Sequence, residues 1–200
     1  MKAEASPVDK GSGAGRPRDP RIDAAILKAA AELVVEVGYS NLSLAAVAER
    51  AGTTKTALYR RWPSKAELVH EAVLSVPPSA VTAPPGDVAG DLRAMMAGAR
   101  EALTNPVVRA ALPGLIADMA TNAELTARAL ERFADLFEVM RAWVADAVAR
   151  GDARADVDPD RLVELIGGAT LLAMFLRPDD QLGGDWVQQT ADILAHGVIA

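Results

Sequence analysis

The sequence predicts an all-α protein of about nine helices, a small N-terminal three-helix unit followed by a larger helical domain. Half of its 200 residues are hydrophobic but only 4% aromatic, a composition of packed helices rather than of a sheet sandwich. Apolar residues recur three or four positions apart in nearly every segment. Between those segments stand capping residues, prolines and glycines of the kind that start and stop helices.

Asp19-Pro20 opens a first helix, whose buried stripe is Ile22, Ile26, Ala29, Leu33 and Val37 and whose end is Gly38. Ser43 caps a short second helix with Leu44, Val47, Ala48 and Ala51 inward, and Gly52 supplies the left-handed residue that ends it. Thr54 caps a third, over residues 55–61. Pro63 disfavours helix at Trp62, and Ser64-Lys65-Ala66-Glu67 is a capping box that starts a fourth through residue 76. Paired prolines then forbid helix on both sides of a linker.

Beyond it, Val88, Leu92, Met95, Ala99 and Leu103 mark a fifth helix, and Asn105-Pro106 caps a sixth that Pro113-Gly114 bends. Thr121-Asn122-Ala123-Glu124 reads as a second capping box. It opens a long seventh helix whose stripe runs Phe133, Phe137, Met140, Val144 and Val148 to Gly151. Asp158-Pro159 starts an eighth, apolar on nearly every face over residues 165–176. Asp185 caps a ninth carrying Val187, Thr190, Ala191, Leu194 and Val198.

Composition narrows the chemistry. With no cysteine, disulfides, thiol nucleophiles and thiolate metal sites are excluded, which suits the cytoplasm. Residues 1–15 are polar, unlike a secretory signal, and read as a disordered arm. The longest nearly apolar run falls short of the roughly 20 residues a membrane helix needs, so no membrane partner is expected. His70 and His196 are too few and too far apart for a metal site, and no GxSxG or Gly-rich phosphate loop assembles a catalytic or cofactor site.

A net charge of −6 argues against a nucleic-acid partner until it is counted by segment. Residues 1–76 hold 11 Lys and Arg against 9 Asp and Glu, whereas residues 77–200 hold 10 against 18. A weakly basic head on an acidic body approaches DNA in one orientation only.

The second and third helices, joined across residues 51–54, have the length and turn of a helix-turn-helix, in which the second helix enters the major groove. A polar-faced helical hairpin has the same spacing. Thr53, Thr54, Lys55 and Thr56 would point outward as small hydroxyls and one cation able to meet bases or phosphate. Tyr59 offers a phenol at the reach of a backbone phosphate, and Arg60 and Arg61 add charge at the helix end. Lys55 and Lys65 both sit in first turns, where the helix dipole disfavours a cation unless a phosphate lies there. Arg16 and Arg18 either reach into a minor groove or belong to a solvated tail.

The linked set Ile26-Leu27-Lys28-Ala29-Ala30, Gly38-Tyr39, Ser43-Leu44-Ala45-Ala46-Val47-Ala48-Glu49-Arg50-Ala51-Gly52, Lys55, Leu58-Tyr59 and Trp62-Pro63-Ser64-Lys65-Ala66-Glu67-Leu68 resembles the TetR family of bacterial repressors over residues 20–70. The resemblance implies a three-helix DNA-binding head and a connecting fourth helix. It also implies a body that binds an effector and dimerises through its last two helices. It makes Ser43 and Lys65 phosphate contacts, Tyr59 a backbone contact, and Thr53, Thr54, Lys55 and Thr56 the base-reading segment. Ala57 stands where the family commonly has Thr, and Trp62 where it has Phe, so the indole N–H needs a partner.

The expected organisation is an arm over 1–18, the head over 19–63, a connecting helix over 64–76, a linker over 77–86 and the effector and dimerisation domain over 87–200. Flexible Met and a few aromatics suggest an apolar effector pocket at Met95, Met119, Phe133, Phe137, Met140 and Trp143, although the same residues describe any core. The last two helices, apolar on two faces and carrying small residues, suggest a homodimer interface at Leu165, Ala169, Leu172, Trp186, Thr190 and Leu194. The partners expected are thus double-stranded operator DNA, a small hydrophobic or amphipathic effector and a second copy of the chain. The alternatives are a DNA-binding architectural protein without a ligand and, against the absence of any catalytic motif, an enzyme.

Overall fold

The computed structural model describes residues 19–74 and 87–199. Among them are nine α-helices: α1 Pro20–Asn41, α2 Leu44–Arg50, α3 Lys55–Tyr59, α4 Lys65–Leu74, α5 Val88–Thr104, α6 Pro106–Met119, α7 Ala123–Arg150, α8 Pro159–Leu176 and α9 Gly184–Val198. A single 3-10 turn, Asp179–Gln181, separates the last two, and an isolated bridge pairs Ala153 with Ile199. The expected arm, with Arg16 and Arg18, and the expected linker over 77–86 lie outside the described residues. No helix among the described residues is long and apolar enough to cross a membrane.

The head forms where its caps say it should. Asp19 accepts from the Arg21 N–H, Ser43 from Ala46 N–H at 3.1 Å and Thr54 from Ala57 N–H at 3.2 Å, each satisfying a first-turn donor. Ser64 accepts from the Glu67 N–H at 3.1 Å, the first bond of the predicted box, and its hydroxyl donates to the Glu67 carboxylate at 3.3 Å. Gly38 breaks α1 at φ 77°, after which one further turn reaches Asn41, and Gly52 ends α2 at φ 63°.

Three starts and stops differ from expectation. The α7 cap is Asn122, whose side chain accepts from Glu124 and Leu125 N–H, while the Thr121 hydroxyl turns back to Asp118. Helix α9 begins one residue before Asp185, with Gly183 as a cap that lends no side chain. The third helix closes at Tyr59, because Arg60 and Arg61 already form the turn toward Pro63.

Two main cores hold the molecule. Ile26, Val34, Val47, Leu58, Leu68 and Val69 fill the first, which Ala111 and Leu115 of α6 and Leu125 of α7 complete. The head core is therefore continuous with the body across the chain's linker. Leu92 and Met96 of α5, Met140, Val144 and Ala147 of α7, Ile166 of α8 and Ala191 of α9 build the second. Trp62 is buried in the head core, and its indole N–H donates to Glu71 at 2.5 Å, the partner its polar edge requires.

Tyr39, just past the Gly38 break, joins the two halves: its ring is buried and its hydroxyl donates to the Asp118 carboxylate on α6. Burial first, and the adjacent carboxylate second, push this phenol above the ordinary tyrosine range. The folded chain thus holds the Tyr39 proton more tightly than the unfolded chain does. Its stabilising contribution is complete below a pH of about 10 and is lost as pH rises beyond that value. Urea unfolding followed from about pH 8 to about pH 11 should show a steeper loss of stability for the unmodified chain than for Tyr39→Phe; parallel profiles would contradict this assignment.

Candidate nucleic-acid interface

Helix α3 has five residues and one fully buried side chain, Leu58. With Leu58 pinned against the head core, a 100° step per residue leaves Thr56 and Arg60 on the opposite side and Tyr59 on the flank, while Lys55, about 60° from Leu58, is held outward by its place at the open first turn. All four are exposed, Tyr59 at 51%. Thr54 is exposed at the cap and Thr53 half-buried beside it, its N–H bonded to the Ala48 carbonyl at 2.9 Å. Ser43 is exposed at the start of α2. As a cap, each of Ser43 and Thr54 uses its oxygen as an acceptor, and the hydroxyl proton is left for an outside acceptor.

Arg61 departs from the sequence reading. It lies three residues after Leu58, hence on the inward side, with its side chain only 7% exposed. Its guanidinium binds Asp23 on α1 and donates to the Ala57 carbonyl at 3.0 Å. Arg50 is likewise engaged, holding Glu36 with two bonds of 2.6 and 2.8 Å that fix α2 to α1. Lys55 and Arg60, in contrast, enter no ion pair among the described residues. The outward cations of this surface are those of the short helix.

Lys65 has an internal role that its position in a first turn did not reveal. Its ammonium donates to the Tyr39 carbonyl at 3.0 Å and to the Ser40 carbonyl at 3.4 Å, and sits 4.4 Å from the Tyr39 ring centroid. The Ser40 carbonyl, and the Tyr39 carbonyl that also accepts from the Leu42 N–H at 3.3 Å, offset the unfavourable dipole of α4. An outside phosphate is not needed to account for a cation there.

The residues expected to line one effector pocket are not brought together. Met95 and Met140 are buried in the second core with Trp143 beside them, whose indole N–H donates to buried Asp91 at 2.7 Å. Met119 packs against the head core instead, Phe137 is half-buried under the Arg141 guanidinium, and Phe133 is exposed. The seventh helix carries its stripe past the neighbours that could cover it at Phe133, and Leu130, Leu136 and Val139 are exposed elsewhere on its surface. Two clefts do occur, of about 380 Å³ beside Asp192 and His196 and about 230 Å³ between Trp62, Glu71 and Arg128. Neither is lined by any of those six residues.

On α8, Leu165, Ala169 and Leu172 share one outward face with Phe175 and Leu176, and Leu172 is 59% exposed. The last helix is less as expected: Trp186 and Leu194 pack against the core, and Thr190 is half-buried with its hydroxyl on the Trp186 carbonyl. Its most exposed apolar residue is Ile193, at 74%, which periodicity alone did not single out. A Cβ built at Gly168 or Gly197 meets only open space.

Comparisons with known proteins agree on both halves of the chain. A family model described as bacterial regulatory proteins, tetR family, matches residues 26–72, and one described as tetracyclin repressor-like, C-terminal domain, matches residues 83–194. A protein of Mycobacterium tuberculosis named as an uncharacterized HTH-type transcriptional regulator is 30% identical over 194 residues, covering 90% of each chain. The DNA-binding transcriptional repressor TetR of Mycobacteroides abscessus is 32% identical over 150 residues, 68% of this chain and 72% of that one. The solved structure of Salmonella enterica GusR matches with a TM-score of 0.72 at 18% identity, over 92% of this chain and 97% of that one. At such identity the likeness is one of fold.

The inward arginine gives a direct test of how the surface is held. Asp23→Ala leaves the Arg61 guanidinium in the head core without its carboxylate and is expected to cost on the order of 2 kcal/mol, less than a fully buried pair because Asp23 is partly solvated. Urea unfolding measures the loss; a change within error of zero would place Arg61 in solvent.

Proposed function

We propose a repressor mechanism for this chain, which belongs to the tetR family of bacterial regulatory proteins and is a transcriptional regulator with a helix-turn-helix for DNA. In this mechanism a cytoplasmic homodimer holds operator DNA and lets it go when a small hydrophobic or amphipathic molecule binds the body.

The observation that carries the reading is the outward face of α3, where Lys55, Thr56, Tyr59 and Arg60 are exposed and the two cations have no acidic partner among the described residues. Thr53, Thr54, Lys55 and Thr56 read base edges in the major groove, with Thr56 aimed most directly. Ser43 donates its free hydroxyl proton to a phosphate, and Tyr59 and Arg60 contact the backbone. Lys65 directs two of its N–H groups to Tyr39 and Ser40 carbonyls and keeps the third for phosphate. Arg16 and Arg18 extend the contact into the minor groove.

The head over 19–63 and the connecting helix over 64–76 serve a body over 87–200 that dimerises and binds effector. Support for the dimer is the apolar outward face of α8 with Ile193 of α9, and Gly168 and Gly197 allow two copies to approach closely. The exposed apolar residues of α7, beside a core containing Met95 and Met140, suit an apolar ligand better than a charged one. Two heads must sit roughly 34–36 Å apart to enter successive major grooves. A ligand that favours another spacing lowers DNA affinity by its difference in affinity for the two states.

Fluorescence anisotropy with the duplex upstream of the chain's own gene and with a shuffled duplex tests this. Selective, salt-dependent binding is expected, and equal binding to both duplexes would mark an architectural protein instead. Arg60→Ala should flatten the slope of log affinity against log salt by roughly 0.9 on both duplexes, the effect of one phosphate contact. Thr56→Ala should change the ranking of operator variants with the slope preserved. An unaltered ranking would move the base-reading segment elsewhere.

A further inference from the structure

We infer that Tyr39 is a positioning residue through which α6 of the body sets the orientation of the DNA-binding head directly, in parallel with the connecting helix α4. Gly38, at φ 77°, turns the chain so that Tyr39 leaves the face of α1 and reaches α6. There the ring lies in a notch made by Gly114, where any Cβ would overlap ring atoms. One turn further along the same face of α6, Asp118 accepts the phenol's hydrogen bond. Lys65, first residue of α4, lies against the ring and binds the two carbonyls that follow Gly38. A single side chain therefore touches the end of α1, the start of α4 and the middle of α6.

The notch sits where α6 is easiest to deform. Pro113, immediately before Gly114, has no N–H to give the Arg109 carbonyl, so the helix lacks one of its internal bonds beside the ring. Close-packed contacts transmit displacement because nothing compressible lies between them. A shift of α6 around residues 113–118 must move Tyr39, and with it the carbonyls that hold Lys65 and the entry into α2. Simple packing between two helices would account for a buried ring. It does not account for a glycine that only this ring fills, a hydrogen bond across 79 residues and a deformable point next to both.

The chain has no cysteine, so a single pair of nitroxide labels can be placed cleanly. Exposed Glu49 in the head and exposed Glu101 in the body are replaced by Cys, and the labelled protein is diluted with unlabelled chain so that pulsed dipolar spectroscopy reads one intramolecular distance. Gly114→Ala should displace the mean distance and Tyr39→Phe, which keeps the ring but loses the Asp118 bond, should broaden the distribution. Pro113→Ala, which restores the missing donor, should narrow it. Circular dichroism confirms that each variant is folded. If Gly114→Ala fails to fold, the other two decide. Distances unchanged in mean and width in the folded variants would overturn the proposal and leave Tyr39 as packing alone. The reading makes no use of DNA, so its failure is distinct from a failure of operator binding by the unmodified chain.

Discussion

Burial of Leu58 is the contact on which the proposed DNA-facing surface depends. A helix of five residues has room for one inward side chain, and the head core takes this one completely. Helical geometry then turns Thr56 and Arg60 away and Tyr59 to the flank, while Lys55 is exposed at the first turn and Arg61 is drawn under by Asp23. Caps at Ser43, Thr54 and Ser64 fix where the helices begin, and Gly52 supplies the left-handed turn between α2 and α3. The helix is too short to persist in isolation, so its form comes from the core beneath it.

That core does not end at the head. Ala111 and Leu115 from α6 and Leu125 from α7 complete it, so the head is anchored on the body through apolar contact as well as through α4. The Arg128 guanidinium adds an exposed bridge to Glu67 at 2.7 Å, a surface pair of small energetic weight. A regulator built this way transfers motion through packed surfaces. The body need not refold to move the head; a change in how α6 lies against Tyr39 is enough.

Much of this was legible in the sequence because punctuation is local. Asp19-Pro20, Ser43, Gly52, Thr54, Ser64 and Gly151 act on neighbours within a few residues, and the helices stand where those residues place them. Asn122 displaced Thr121 as a cap because its oxygen reaches two N–H groups at once. What the sequence could not show are contacts made at long range. The inward turn of Arg61 depends on Asp23 38 residues away, and the work of Lys65 on carbonyls 25 and 26 residues before it. Gly114 looked like part of a helix bend, since the ring that fills its notch is remote in the chain. On α7 the apolar period is genuine, yet period alone cannot tell a covered face from an uncovered one, and it puts Phe133 and Met140 on one stripe although one is exposed and the other buried.

The charge of the protein follows the same logic. An acidic chain suits the proposed DNA contact because Lys55 and Arg60 are local and unpaired with acids among the described residues, while Arg50 and Arg61 beside them are spent on Glu36 and Asp23. The most direct test attaches an iron chelate that cleaves DNA to a single cysteine at Thr56→Cys, a clean label in a chain without cysteine. Bound to its own upstream duplex, the protein should cut at two clusters about 10 base pairs apart, each centred on a major groove. Absence of cutting from this position, with strong cutting from a chelate at exposed Glu131→Cys on α7, would contradict the account by turning the other face of the molecule to the DNA.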